Sequence, residues 1–243
     1  MTKEADAGTR VDEARAWDAR LGWAFGLIAD DPAERAAALV RLADARRNVL
    51  DALNRFNESW RSTSLLGGHE QRQDAAFRQA HERYVEAATH LLPDALWNRP
   101  YGDIRAWAGL PYALLFLEWE ARYPQAWTRH AKKWGTKESL LRNVAVADHD
   151  EAVRAKLTDL VEIVVQRPYR CKDREYLRVA RAVDSEDLRG RLETAARSDN
   201  PWARRHAGYV LRLLDRPDVP NTVHVWQNWI AAEAGRETGE LAR

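Results

Sequence analysis

The sequence predicts an all-α protein, on three observations. Apolar residues recur at three- and four-residue steps through most of the chain. No window alternates with period two over a useful length, so no sheet is expected. Proline, glycine and aspartate clusters interrupt the helical pattern at intervals that suit helices joined by short connections.

The element around which the others are expected to pack is Trp107-Ala-Gly-Leu-Pro-Tyr-Ala-Leu-Leu-Phe-Leu-Glu-Trp119, the most apolar run in the chain. No residue from Leu110 to Leu117 carries a charge, and Pro111 suits a first helical turn, where its missing N–H would be unpaired anyway. A helix apolar on all sides belongs in the interior.

Before it, Val11, Ala14, Leu21, Ala24 and Ile28, widened by Trp17 and Phe25, define a first helix from about Arg10, with residues 1–9 frayed. Asp31 is a good N-cap and Pro32 a good N1 for a second helix, whose seam is Leu39, Leu42, Val49, Leu53, Phe56 and Trp60, broken by Arg46. A loop at 62–68 leads to a third seam of Phe77, Ala80, Tyr84, Ala87 and Leu91, which predicts an antiparallel hairpin with the second. These helices form an expected N-terminal three-helix unit over 1–98. The breaks at 92–94 and 98–102 separate it from a second region, 99–243, holding the buried helix and a series of short helices. Those helices are expected at 124–133, around Val153–Val164, at 171–183, 184–196 and 201–214, and from Pro220 to about Ala234.

Lys plus Arg (38) nearly balances Asp plus Glu (37), so no global field points to nucleic acid or a membrane. Locally the balance shifts: residues 1–98 carry a net charge of −3 and residues 167–216 a net charge of +5. The single cysteine, Cys171, excludes an intramolecular disulfide and any Cys-rich metal site. The polar N-terminus lacks an apolar signal core, and the run at 110–117 is far short of the roughly 20 residues of a membrane span. A cytoplasmic protein without membrane attachment is expected.

The stretch Ser198-Asp-Asn-Pro-Trp-Ala-Arg-Arg-His-Ala-Gly-Tyr-Val-Leu-Arg-Leu-Leu-Asp-Arg-Pro-Asp-Val-Pro220 resembles a HEAT-like repeat. The resemblance lies in the Asp199-Asn200-Pro201 corner, Arg204-Arg205, Ala207, the Leu213-Leu214 pair and the Asp215-Arg216-Pro217 exit, and covers one repeat and two more loosely. It implies stacked helix pairs with a concave face that binds something large. Within that class, the run Ser-Asp-Asn-x-Trp-x-x-Arg is similar to one in HEAT-like alkylpurine DNA glycosylases, which implies that Arg205 contacts DNA. The Trp-Trp-Asp-x-x-Asp run that carries the acidic catalytic residue of those proteins has no counterpart here.

Two basic stripes are candidate partner-binding surfaces. Arg170, Arg174, Arg178 and Arg181 fall at steps of 4, 4 and 3, and Arg205, Tyr209, Arg212 and Arg216 repeat the pattern with an aromatic interleaved. Guanidinium groups suit phosphates and carboxylates, and tyrosine can stack on a base. The plain alternative is a solvated face neutralised by Asp173, Glu175, Glu186 and Asp187. The second stripe is expected opposite a buried Trp202–His206–Val210–Leu213 stripe.

Glu82, Glu86 and His90 share a helix face but lack the paired Glu-x-x-His runs of a di-metal bundle, and read as surface pairs. Asp148, His149 and Asp150 read as a cap for the next helix rather than a ligand set. Cys171 has no His/Asn partner motif. P-loop, dinucleotide-binding, nucleophile-elbow and zinc-protease motifs are absent, so no catalytic residue, cofactor or metal is assigned. Of the eleven tryptophans, Trp17, Trp60, Trp202 and Trp226 fall at core spacings, and Trp97, Trp107, Trp127 and Trp134 cluster around broken helices, where packing is the first reading and a pocket or partner groove the alternative; an enclosed aromatic pocket would lie near Trp107, Tyr112 and Trp119.

The leading expectation is a helical scaffold or adaptor that binds a protein partner. The alternatives are a HEAT-like nucleic-acid-binding protein using the arginine stripes, and an enzyme acting on a small aromatic or hydrophobic substrate.

Overall fold

The computed structural model describes residues 2–63, 74–97, 103–146 and 148–240, with side chains described from 11 to 232 within those ranges. Among the described residues there are eleven α-helices, four 3-10 segments and no strand, so the chain is all-α. Contacts divide it into two compact units, Met1–Thr136 and Lys137–Arg243.

The first unit contains α1 (Thr2–Leu21), a 3-10 segment (Gly22–Ile28), α2 (Pro32–Thr63), α3 (Ala75–Thr89), two 3-10 turns (Asp94–Leu96 and Ile104–Ala106), α4 (Leu110–Arg122) and α5 (Pro124–His130). The helix expected to begin near Arg10 starts at Thr2, and it gives way to the 3-10 segment at Gly22 rather than reaching Ile28. That tighter segment brings Gly26 against α2, where an added Cβ would lie 3.0 Å from Ala38 Cβ.

α2 and α3 form the expected antiparallel hairpin. Asp74 caps α3 by accepting from the Phe77 N–H at 2.8 Å, and Phe56 lies 5.4 Å from Phe77 and 6.0 Å from Tyr84. Its seam is only half-buried: Leu42 and Val49 are sealed, whereas Trp60 remains 51% exposed. Arg46, the polar break, donates to the His130 carbonyl. Ser62 and Thr63 of the expected loop still belong to α2; the rest of that loop and the break at 98–102 lie outside the described residues.

α4 is the buried centre of this unit. Leu110 and every residue from Tyr112 to Ala121 are buried, Pro111 being the exposed first-turn proline. Gly109 precedes α4 because a Cβ there would sit 2.4 Å from the Trp107 ring and 2.6 Å from that of Trp17. The Tyr112 hydroxyl donates to Asp18 at 2.6 Å, and Arg122 donates to the Ile28 carbonyl at 3.0 Å and pairs with Asp30. These ties attach α4 to α1 and the 3-10 segment, so the boundary expected at 98/99 falls inside the first unit.

The second unit begins at Lys137, within α6 (Trp134–Val144), and continues through α7 (Glu151–Val165), a 3-10 turn (Asp173–Glu175), α8 (Tyr176–Ala182), α9 (Glu186–Ala196), α10 (Pro201–Leu214) and α11 (Val223–Glu240). Asp150, Ser185 and Asn200 cap α7, α9 and α10 through their side chains. Leu188, Leu192 and Ala195 of α9, and Ala203, Ala207, Val210 and Leu213 of α10, form the buried faces of a close helix pair. His149 is buried, its Nε2 2.9 Å from the Val144 carbonyl. No helix among the described residues is long and apolar enough to cross a membrane.

Leu115 is 1% exposed within α4. Leu115→Ala is therefore expected to destabilise the protein by about 2–5 kcal/mol. Val40→Ala, at a position 62% exposed, is expected to change stability by less than about 0.5 kcal/mol. Urea denaturation followed by far-UV circular dichroism checks both.

Candidate functional site

The second unit contains a walled pocket that originates in the turn between α7 and α8. After Arg167-Pro168-Tyr-Arg-Cys, Lys172 adopts a left-handed backbone with φ of 69°. The turn brings Asp173 back under Arg170, whose backbone N–H donates to Oδ2 at 2.6 Å. Arg167 donates to the same oxygen at 2.8 Å, and Lys137 Nζ, wholly buried, reaches Oδ1 at 2.6 Å. Glu175, 4% exposed, accepts from Arg142 at 3.1 and 3.2 Å and from Arg178 at 2.9 Å. Glu138 links Arg142 and Lys172 at 2.6 and 2.7 Å. Burial pushes the Glu175 carboxyl upward, but the Arg142 hydrogen bond and the charges of Arg142 and Arg178 outweigh it and hold it below its ordinary value.

Above this cluster lies a cavity of about 260 Å³. Its apolar floor comes from Val161, Val164 and Val165 of α7, Leu177 of α8 and Val210 of α10. Tyr169, Tyr176, Tyr209 and Trp226 supply aromatic walls, and Arg174, Asn221, Thr222 and Val223 complete the lining with Asp173 and His206. Asn221 ties the entry of α11 to the turn: its Oδ1 accepts from the Tyr209 hydroxyl at 2.9 Å and its Nδ2 donates to the Arg174 carbonyl at 2.7 Å. His206 sits between Trp202 and Trp226, with ring centroids 5.9 and 5.7 Å away. Burial holds its pKa below the ordinary histidine value, partly opposed by the nearby Val165 backbone. His206 Nε2 is buried with no hydrogen-bond partner.

This arrangement redistributes the two arginine stripes. Arg170, Arg174, Arg178 and Arg181 do not share one helix face, because the left-handed residue and the 3-10 turn delay the start of α8 to Tyr176. Arg178 is exposed and pairs with Glu175, whereas Arg181 turns inward and donates to the carbonyls of Leu213 at 3.1 Å and Val219 at 2.8 Å. On α10, Tyr209 is buried rather than projecting, and Trp202, expected in the core, is 40% exposed. The inward side is the one with Ala203 and Ala207, about one residue around the helix from the expected stripe. Arg205 is half-buried, Arg212 lies over the Trp229 ring at 5.5 Å, and Arg216 lies beyond the end of α10.

The aromatic pocket expected at Trp107, Tyr112 and Trp119 is filled core, whereas Glu82, Glu86 and His90 line an open groove of about 770 Å³. Tyr112 and Trp119 are each 1% exposed in the core of the first unit, and Trp17 packs on Trp107 and Tyr112 at 5.5 and 5.4 Å. The aromatic cavity is in the second unit instead. Glu86 and His90 pair at 3.1 Å on exposed surface, and Cys171 is a free, exposed thiol. Asp173 and Glu175, expected as counter-charges on a solvated arginine face, are buried instead; Lys137, Tyr169 and Asn221 carry no periodic signal in the sequence, and Trp226 fits the core spacing of its helix without marking a cavity.

Compared with known proteins, the chain matches no family model, no curated protein and no solved structure.

Asp173→Asn leaves the buried Lys137 cation without its carboxylate and is expected to destabilise the second unit by about 3–5 kcal/mol, whereas Arg178→Ala, at an exposed side chain, costs less than about 1 kcal/mol. Thermal melts of the purified variants check the contrast. A carboxyl whose folded pKa is depressed contributes stability above its unfolded pKa and loses it as pH falls through the folded value. Glu175, ordinarily near 4.5, thus predicts a falling urea midpoint as pH drops below 4.5, with a shallower fall in Glu175→Gln.

Proposed function

We propose that this chain is a non-enzymatic helical adaptor that holds a protein partner through the pocket of its second unit. The observation that carries this reading is the aromatic and valine-lined cavity of about 260 Å³, opening beside exposed Tyr169, Trp202 and Val223. An apolar cavity with an exposed apolar collar is the arrangement that anchors one large side chain of a partner.

Catalysis is the weaker reading. Asp173, the carboxylate at the cavity, is held by Lys137, Arg167 and a backbone N–H, which leaves it no role in proton transfer. The volume also falls below the roughly 300–1,000 Å³ of ordinary small-molecule sites. The nucleic-acid reading loses Arg181 and Tyr209, both turned inward. The close α9–α10 pair supports the helical-repeat character read from the sequence.

Val223, 57% exposed at the pocket mouth, is the cleanest place to block entry. A tagged wild-type chain is expected to retain a partner from native lysate, Val40→Arg in the first unit to retain it equally, and Val223→Arg to lose it. Equal retention by Val223→Arg, or retention of nothing by the wild type, contradicts the proposal.

A further inference from the structure

We infer that the pocket takes an aromatic side chain presented by an acidic peptide segment. The inference rests on the adaptor reading above and adds the chemistry of the partner.

The size and walls select the anchor. At about 30 Å³ per water, the cavity holds about nine waters, comparable to the bulk of one large side chain. Tyrosine and tryptophan rings on its sides and valines on its floor favour a flat apolar group over a branched or charged one. His206 lines the same cavity and its buried Nε2 has no hydrogen-bond partner, which suits a ring that also carries a polar N–H, as indole does.

The rim selects the flanks. Arg174 belongs to the lining itself, and Arg205 and Arg212 lie just outside it, at i−4 and i+3 of the lining Tyr209 on α10, where their charges act on His206 and Tyr209. Among the described residues Arg205 has no ion pair, Arg212 has only the Trp229 ring, and Arg174 has a 3.6 Å approach to Glu175. Asp173, the carboxylate of the lining, and Glu175 two residues on are already matched by Lys137, Arg167, Arg142 and Arg178. The surplus at the mouth is therefore cationic. It attracts aspartate and glutamate beside the anchor and disfavours a cationic guest, despite the aromatic walls.

The test uses the full chain and fluorescein-labelled synthetic peptides read by fluorescence anisotropy. The probes carry one tryptophan flanked on each side by two aspartate or glutamate residues, the same flanks with alanine in place of tryptophan, or the tryptophan flanked by lysines. The acidic tryptophan peptide is expected to bind, with the alanine form about thirty-fold weaker and the lysine form weaker still. Arg205→Glu is expected to weaken the acidic peptide about ten-fold, an effect that shrinks in high salt, while Arg15→Glu in the first unit leaves it unchanged. Circular dichroism melts establish that both variants fold.

Equal binding of the alanine and tryptophan peptides overturns the aromatic anchor. Equal binding of the lysine-flanked peptide overturns the acidic class and leaves the adaptor reading standing. Competition of the acidic peptide by random single-stranded oligonucleotide overturns the assignment in favour of a nucleic acid. If no peptide binds while Val223→Arg still abolishes partner capture, the inference fails and the adaptor reading survives; if that effect is also missing, both fail.

Discussion

The second unit depends on one buried interaction, the contact of the Lys137 ammonium with the Asp173 carboxylate. Removing a lysine from water costs several kcal/mol unless a counter-charge and hydrogen bonds replace its hydration. Asp173 provides the counter-charge, and Arg167 and the Arg170 N–H occupy its remaining lone pairs. This fixes the left-handed turn at Lys172, and the turn brings Tyr169, Arg174 and Tyr176 into the cavity lining. The pocket is a consequence of how the chain neutralises a buried cation, and the groups that achieve this are not available as ligands.

The same logic explains where positive charge remains. Residues 167–216 carry a net charge of +5, yet much of it serves the fold: Arg167 and Arg178 meet carboxylates, and Arg181 meets backbone carbonyls. What is left includes Arg205 and Arg212, which flank Tyr209 along α10, and Arg174 in the cavity lining. A modest local surplus becomes specific because it lies beside an apolar cavity rather than covering a uniform face.

Much of the fold was legible in the sequence because burial in helices leaves a period. The seams of Leu42 and Val49, of Phe77 and Tyr84, and the continuous apolar run of α4 all carried it, and Asp150 and the Asp199-Asn200-Pro201 corner marked helix starts. Periodicity failed where geometry departs from the α-helix. Gly22–Ile28 winds as a 3-10 segment, and residues 171–175 turn instead of extending α8, which separated four arginines read as one stripe. It also misjudged size: on α10 the small Ala203 and Ala207 face inward to permit close helix packing, while the large Trp202 stays at the surface. The site was less legible than the fold, because Tyr169, Tyr176, Tyr209 and Trp226 come from four segments that share no spacing.

The claim that an accessible aromatic-lined pocket exists at this position is tested most directly by nuclear magnetic resonance on the full chain, with labelled valine and leucine methyl groups and indole as the titrant. The account predicts saturable shifts confined to Val161, Val164, Val165, Leu177 and Val210, together with the Trp226 indole N–H. Unchanged methyl signals at these residues, or larger shifts at Leu115 and Leu117 in the core of the first unit, would contradict it.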